Sequence, residues 1–318
     1  MKNLIIITFI FICSMGVIAQ DINAGLVAYY PFNGDVTDAS GNGNTGQVIN
    51  ATLTEGVNGV ANSAYLFNGL DTYITIPSSE SLNRPDTAIT MSAWIYLNGL
   101  SLIGSSFGPV LMKSDLAANN FSYRLSLSLS NIAAATNNWG NGTFADTVLA
   151  LNTWYHFVAS LSEDKAKFYL NGVLIKVDTN YTTDLFSDNL PLEIGRDVPG
   201  DLEIFNGKID EVRVYDRAIS DEEVSELYFD VVTGVSEIST KEISIFPVPT
   251  KNKLTISSND RSQFQMIEIY NVSGIKVENL KFEPTHQKTI DISNLVLGVY
   301  HLQIVGDNWS AIRNIVKE

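Results

Sequence analysis

Apolar and polar residues alternate along most of this chain, in runs too short for helices. "GLVAYYPF" (Gly25–Phe32), "AYLFNG" (Ala64–Gly69), "TYITIP" (Thr72–Pro77) and "ITMSAWIYL" (Ile89–Leu97) begin the series. "YRLSLSLS" (Tyr123–Ser130), "WYHFVASL" (Trp154–Leu161) and "AKFYLNGVLIKV" (Ala166–Val177) continue it. A period of two puts successive side chains on opposite faces, so each run predicts a half-buried strand. Gly, Asn, Asp and Pro separate the runs at turn-like spacing, which predicts a sandwich or jelly roll rather than βαβ units. Asn171-Gly172 is the signature of a two-residue hairpin. One helix is expected: Ser220 and Glu223 make a capping box, followed by an apolar stripe of Val224, Leu227 and Tyr228.

The pattern loosens after Val231 into small and polar residues, then resumes. "EISIFPVP" (Glu242–Pro249), "KLTISS" (Lys253–Ser258), "QMIEIYNVSG" (Gln265–Gly274), "KTIDIS" (Lys288–Ser293), "GVYHLQIVG" (Gly298–Gly306) and "AIRNIVKE" (Ala311–Glu318) form a second β-rich block. Its length suits a small Greek-key sandwich. Pro247 and Pro249 remove ladder donors, which an edge strand tolerates. The expected division is therefore a leader at 1–19, a first β domain at 20–231, a linker at 232–241 and a second β domain at 242–318.

The leader reads as a secretory signal. Lys2 precedes an apolar run from Leu4 to Ile12, and Ala19 closes a small-residue cleavage site. The run is too short for a transmembrane span, and no later stretch is longer. The one cysteine, Cys13, lies inside it, with Ile12 where a lipoprotein signal has a small residue. Without residues 1–19 the chain has 19 basic against 35 acidic side chains, a net charge of −16. Nucleic acid needs a basic stripe, so it is excluded as a partner. Divalent cations and neutral glycans are compatible.

In order, "GLVAYYPFNGDVTDASGNGNTG" (Gly25–Gly46), "AYLFNGLDTYITIP" (Ala64–Pro77), "ITMSAWIY" (Ile89–Tyr96), "NTWYHFVASL" (Asn152–Leu161), "KFYLNGVLI" (Lys167–Ile175), "LEIGRD" (Leu192–Asp197) and "FNGKIDEVRVYDRAIS" (Phe205–Ser220) resemble the laminin-G-like, concanavalin A-like jelly roll of secreted bacterial proteins. The second block resembles the type A sorting domain of the type IX secretion system. The carrying pieces are "ISIFPVPTKNKLTIS" (Ile243–Ser257), "IEIYNVSGIKV" (Ile267–Val277) and "IDISNLVLGVYHLQI" (Ile290–Ile304). Val248 departs from the Asn that this family usually has between its two prolines. These resemblances imply an all-β fold: a concanavalin A-like jelly-roll sandwich followed by a small Greek-key β-sandwich sorting domain. They also imply outer-membrane translocation by the type IX machinery through 242–318, to the cell surface or the medium.

Chemistry is sparse. Glucanases on the jelly roll resemble one another in a Glu-x-Asp-x-x-Glu strand, whose alternate carboxylates share one cleft. That spacing is absent here, so no enzyme is expected. His156, His286 and His301 are too scattered for a zinc cluster, and His156 reads as structural. In the Phe205–Ser220 stretch, alternation places Asp210 on the same face as Val212 and Val214, aimed at the core. A buried carboxylate must be paired, hydrogen-bonded or bound to a metal. The resemblance implies one structural Ca2+ where the N-terminal loop meets the last strand, with Asp210 and Asp35 or Asp38 as ligands. The competing reading has Asp210 accepting hydrogen bonds from turn backbone, beside a loop of Asx turns. For a ligand, "NNWGNGTF" (Asn137–Phe144) sets Trp139 between Asn138 and Asn141. Either the ring stacks on a sugar while the amides bond hydroxyls, or it folds back over the sandwich rim. The functional expectation is a binding or adhesion module for glycan or a surface protein. The alternatives are a structural spacer and, less favoured, an accessory module related to polysaccharide-degrading enzymes.

Overall fold

Each alternating run becomes a strand in the computed structural model. It describes residues 21–233 and 243–318, apart from 84, 100–101, 103–107, 116–119, 129–130, 138–141, 182–184, 186–188, 198–202, 259–261, 272–275 and 307–309. The expected leader, 1–19, and residues 234–241 of the expected linker lie outside the described residues.

In chain order the first region contains β1 (Leu26–Tyr30), β2 (Gln47–Ile49), β3 (Thr52–Thr54), β4 (Ala64–Asn68), β5 (Tyr73–Ile76), β6 (Ile89–Leu97), β7 (Gly108–Asp115) and β8 (Asn120–Leu127). It continues with β9 (Asn131–Asn137), β10 (Thr143–Asp146), β11 (Trp154–Ser162), β12 (Lys165–Leu170), β13 (Val173–Asp178), β14 (Leu192–Ile194), β15 (Asn206–Tyr215) and α1 (Asp221–Thr233). Two antiparallel sheets result. One runs β13-β12-β11-β6-β15-β4-β3, with β1 also paired to β15, and the other runs β10-β9-β8-β7-β14-β5-β2. The inward residues of both, among them Phe67, Ile74, Ile95, Leu125, Phe157, Ile194 and Val214, form one core. This is the jelly roll that the spacing predicted. Asn171 and Gly172 turn between β12 and β13 with φ of 51° and 77°, the two positive values that a type I′ hairpin requires.

The capping box forms as expected: the Glu223 N–H donates to Ser220 Oγ at 3.2 Å, and the Ser220 N–H donates to Glu223 Oε2 at 2.7 Å. Val224 and Leu227 then pack with Leu26, Val158, Tyr169 and Tyr215 on the outer side of the eight-stranded sheet. Burying such a side chain contributes about 1.5–3 kcal/mol, so α1 is held by packing more than by propensity. Tyr228 of α1 stacks on Trp94 of β6, and β6 is buried on both faces although its sequence alternates.

The second region contains β16 (Ile243–Phe246), β17 (Lys253–Ser258), β18 (Phe264–Asn271), β19 (Lys276–Thr285), β20 (Gln287–Asp291), β21 (Gly298–Val305) and β22 (Ser310–Lys317). A three-stranded sheet, β16-β17-β20, and a four-stranded sheet, β19-β18-β21-β22, enclose a core that includes Leu254, Ile256, Ile267, Leu302 and Ile315. β16 is an edge strand, and Pro247 and Pro249 follow it directly.

Candidate functional site

β15 does not alternate cleanly. Its first half pairs with β4 (Ile209 opposite Tyr65) and its second half with β1 (Val212 opposite Tyr30). Between them the register against β6 slips: Asp210 faces Trp94, and the next matched pair is Arg213 with Ser92. The extra residue is a β-bulge with Glu211 at φ 51°. The bulge resets the phase, so Ile209, Val212 and Val214 all enter the core, while Asp210, Arg213 and Tyr215 face α1. The expectation that Asp210 shares the face of the two valines is therefore corrected.

Asp210 is buried at 2 % exposure, and backbone amides satisfy it. Its Oδ2 accepts the Val57 N–H at 3.1 Å and its Oδ1 accepts the Glu211 N–H at 2.8 Å. Burial is the main cause that pushes its pKa up to about 7; the Glu211 charge adds to this, and the two amides and Arg213 oppose it. The partner loop is thus the β3–β4 connection, not the N-terminal loop. Gly56 is required there, since a Cβ would lie 2.3 Å from Ser63 Oγ and 2.6 Å from Asp210 Oδ2.

The N-terminal loop is a closed hydrogen-bond system of its own. Asp38 Oδ1 accepts from the Tyr29 and Ser40 amides, and Oδ2 accepts from the Asn44 amide. Asn42 and Asn44 donate to the Val27 carbonyl, and Tyr30 donates to the Asn44 carbonyl. Asp35 is exposed and accepts the Thr37 N–H. A cation shared by Asp35, Asp38 and Asp210 does not fit this arrangement. Amide hydrogens point at both Asp38 oxygens, and among the described residues no three Asp, Glu, His or Cys side chains are grouped as metal ligands. These loops are fastened by Asx-type bonding.

His156 is fully buried, with Nε2 2.8 Å from Ser92 Oγ and its ring stacked on Trp94 at 5.2 Å. Burial, then the Arg213 charge, lowers its pKa to about 3, so it is neutral and structural. Trp94 also stacks on Tyr228 of α1 at 5.3 Å, which places it in packing rather than in a binding face.

The outer face of the seven-stranded sheet is different in kind. Register places Gln47, Thr75, Glu193, Met112 and Arg124 in one row across β2, β5, β14, β7 and β8. These positions alternate with core residues such as Ile74, Ile194, Leu111 and Leu125, so they point away from the core. Glu193 is 1 % exposed, accepts the Thr75 hydroxyl at 2.9 Å, and takes a bidentate pair from Arg196 at 3.0 and 3.1 Å. The Arg196 guanidinium lies 3.4 Å from the centre of the Tyr73 ring. Arg124 is buried, and that burial lowers its pKa to about 10 against the pull of Asp197 and Glu203. Gly195, at φ 83°, brings the chain from β14 to Arg196; a Cβ there would strike the Phe67 ring at 2.3 Å. Buried charge, a planar cation on a ring and paired hydroxyl and carboxylate groups suit recognition of a polar ligand.

The sequence reasoning missed this row. Its signal was present: Glu193 lies between Leu192 and Ile194, and Arg124 between Tyr123 and Leu125, charges at the outward positions of apolar strands. Trp139, Asn138 and Asn141 lie outside the described residues, in the connection between β9 and β10 of this same sheet.

Comparison with known proteins bears on both regions. Residues 67–225 match the concanavalin A-like lectin/glucanases superfamily. Residues 244–318 match the secretion system C-terminal sorting domain, which marks the chain for type IX export to the cell surface or extracellular space. No curated protein matches the chain in sequence. Among solved structures, it is similar to domain 4 of AbnA, a GH43 extracellular arabinanase from Geobacillus stearothermophilus, solved with arabinotriose (20% identity, TM-score 0.50, covering 64% of this chain and 98% of that one). It is also similar to the binding domain of Paraclostridial Mosquitocidal Protein 1 (16%, 0.53, 89% and 76%). A third is the binding domain of botulinum neurotoxin DC, in complex with rat synaptotagmin II (12%, 0.53, 91% and 73%). At these identities the likeness is one of fold. Among the described residues no helix is long and apolar enough to cross a membrane.

Proposed function

Because this chain belongs to the concanavalin A-like lectin/glucanases superfamily and ends in a secretion-system sorting domain, we propose that it is an exported, non-catalytic module that binds glycan through the outer face of its seven-stranded sheet. The observation that carries this reading is the Tyr73–Arg196–Glu193–Thr75 cluster in line with Arg124. Hydroxyl groups of a sugar present both donors and acceptors; exposed Gln47 offers both at the edge of the row, beside the Arg196 guanidinium held on the Tyr73 ring. Trp139, with Asn138 and Asn141, is a second candidate from the sequence, its ring suited to stacking on a sugar and the amides to bonding hydroxyls.

A catalytic reading is weaker on chemical grounds. A glycosidase needs two carboxyl groups, one a proton donor and one a nucleophile or base, flanking a shared space. Glu193 spends both oxygens on Arg196 and Thr75. The arabinotriose-bound relative of similar fold, itself one domain of an arabinanase, makes arabinose oligomers a sensible first ligand to try.

The test is a glycan array with the mature chain, repeated with Tyr73→Ala and Trp139→Ala. Binding of a defined glycan class that falls about tenfold or more in Tyr73→Ala supports the reading, since stacking on a ring contributes on that scale. Binding unchanged in both variants, or a blank array from a chain of normal melting behaviour, overturns it in favour of a protein ligand or a structural role.

A further inference from the structure

β21 of the second region buries side chains that point away from its own core. Tyr300, Leu302 and Ile304 enter that core, so His301 and Gln303 between them leave the strand on its outer face. On β18, Glu268 stands opposite Gln303 and Tyr270 opposite His301. All four are buried, His301 to 1 % exposure. Part of this order is internal: the Tyr270 hydroxyl donates to Glu268 Oε2 at 2.7 Å, and Lys276 Nζ donates to Glu268 Oε1 at 2.6 Å. The ring beside His301, however, is Tyr228 of α1 in the first region, with centroids 6.4 Å apart.

Tyr228 already belongs to a column of rings. His156 stacks on Trp94 at 5.2 Å, Trp94 stacks on Tyr228 at 5.3 Å, and His301 continues the series. Trp94, Tyr228 and Val231 form a buried cluster apart from the sandwich core, with Val57 and Trp154 packed against it. Gly172 of the hairpin holds Tyr228 from the side, since a Cβ there would lie 3.1 Å from Tyr228 Cβ. Burial first, then the Glu268 bond and charge, raise the Tyr270 pKa, and Tyr228 in the other region adds to the shift. Net charge does not oppose the approach. Residues 242–318 carry eight basic and eight acidic side chains, so the net charge of −16 lies wholly on the first region.

We propose that the sorting domain is docked on the jelly roll through this contact, its outer β18–β21 face against Tyr228 of α1, rather than carried on a loose tether. Nine residues separate Thr233 from Ile243. So short a link gives the contact an effective concentration on the order of millimolar, which keeps closed a contact too weak to form between separate molecules. The docked domain meets the α1 side of the sandwich, opposite the glycan row, and leaves that row free while the domain is in place.

Cys13, in the expected leader, is the only native cysteine, so the mature full-length chain can carry spin labels at Glu163→Cys and Lys251→Cys, both exposed positions. Electron–electron double resonance then reads the distance between the two regions. Docking predicts one narrow distribution, whereas a free nine-residue tether would spread it over roughly 15 Å or more. His301→Ala and Tyr228→Ala should each broaden the native distribution about twofold or more. His301 lies outside its own domain's core, so its loss should leave that domain's melting unchanged. A broad distribution in the native chain, or variants as narrow as the native chain, would overturn the proposal. Should either variant melt lower, His301→Phe decides, because it keeps a ring beside Tyr228: a narrow distribution supports docking through the rings, and a broad one overturns it. Neither result bears on the glycan row, whose variants lie on the other sheet.

Discussion

Both outer faces of the sandwich bury polar residues, yet they bury them for different reasons. On the eight-stranded sheet, α1 lies over Trp94, Val158 and Tyr215, and the polar groups beneath it, Asp210 and His156, close local hydrogen bonds. On the seven-stranded sheet no described helix or sheet covers the row; Glu193 and Arg196 are ordered by each other and by Tyr73, and buried Arg124 feels the charges of Asp197 and Glu203. Asp210 and His156 under the helix are held by hydrogen bonds within the fold itself. Glu193 and Arg196 on the other sheet are paired to each other on a face that no described helix crosses, where a ligand is the proposed reason for the charges.

The sharpest way to break this contrast is Arg196→Ala. It leaves Glu193 buried without its bidentate partner, which should cost about 3–5 kcal/mol in a urea unfolding experiment. The double change Glu193→Gln with Arg196→Met should recover most of that loss. A single variant within about 1 kcal/mol of the native chain would mean a solvated pair and a face that is merely wet.

Next in size is the pH response under the helix. The pKa of His156 is lowered to about 3 in the fold, so its contribution is fully present above its unfolded pKa of about 6.5 and is lost as pH falls toward 3. Between pH 6.5 and 4.5 the advantage of the native chain over His156→Gln should shrink by about 2–3 kcal/mol. A constant difference would place His156 in contact with solvent.

Asp210 gives an opposing slope. Its pKa is raised to about 7, so its contribution is fully present below about 4 and is lost as pH rises through 7. Asp210→Asn should therefore gain about 2 kcal/mol relative to the native chain between pH 5 and pH 8. The two slopes partly cancel in the native protein from pH 4 to 6.5, and only the variants separate them.

The smallest expected effect is that of calcium removal. With both Asp38 oxygens and both Asp210 oxygens taken by amide hydrogens, a chelator should leave the thermal midpoint unchanged. A drop of several degrees on chelation, abolished in Asp210→Ala, would restore the metal that the resemblance implied.

Alternation and turn chemistry alone determined the strands, the Asn171-Gly172 hairpin, the Ser220–Glu223 cap and the sandwich class, because each depends on residues close in sequence. The order of short motifs likewise determined both families and the export route. Other features depended on which strands become neighbours. The β15 bulge arises where its partner changes from β4 to β1, and it moved Asp210 to the helix side and gave it to the β3–β4 loop. The row from Gln47 to Arg124 unites residues on five strands that are far apart in the chain. The column of rings from His156 to His301 needs α1 laid between β6 and β21. Local rules fix which way a side chain leaves its strand, but only long-range pairing decides what it then meets.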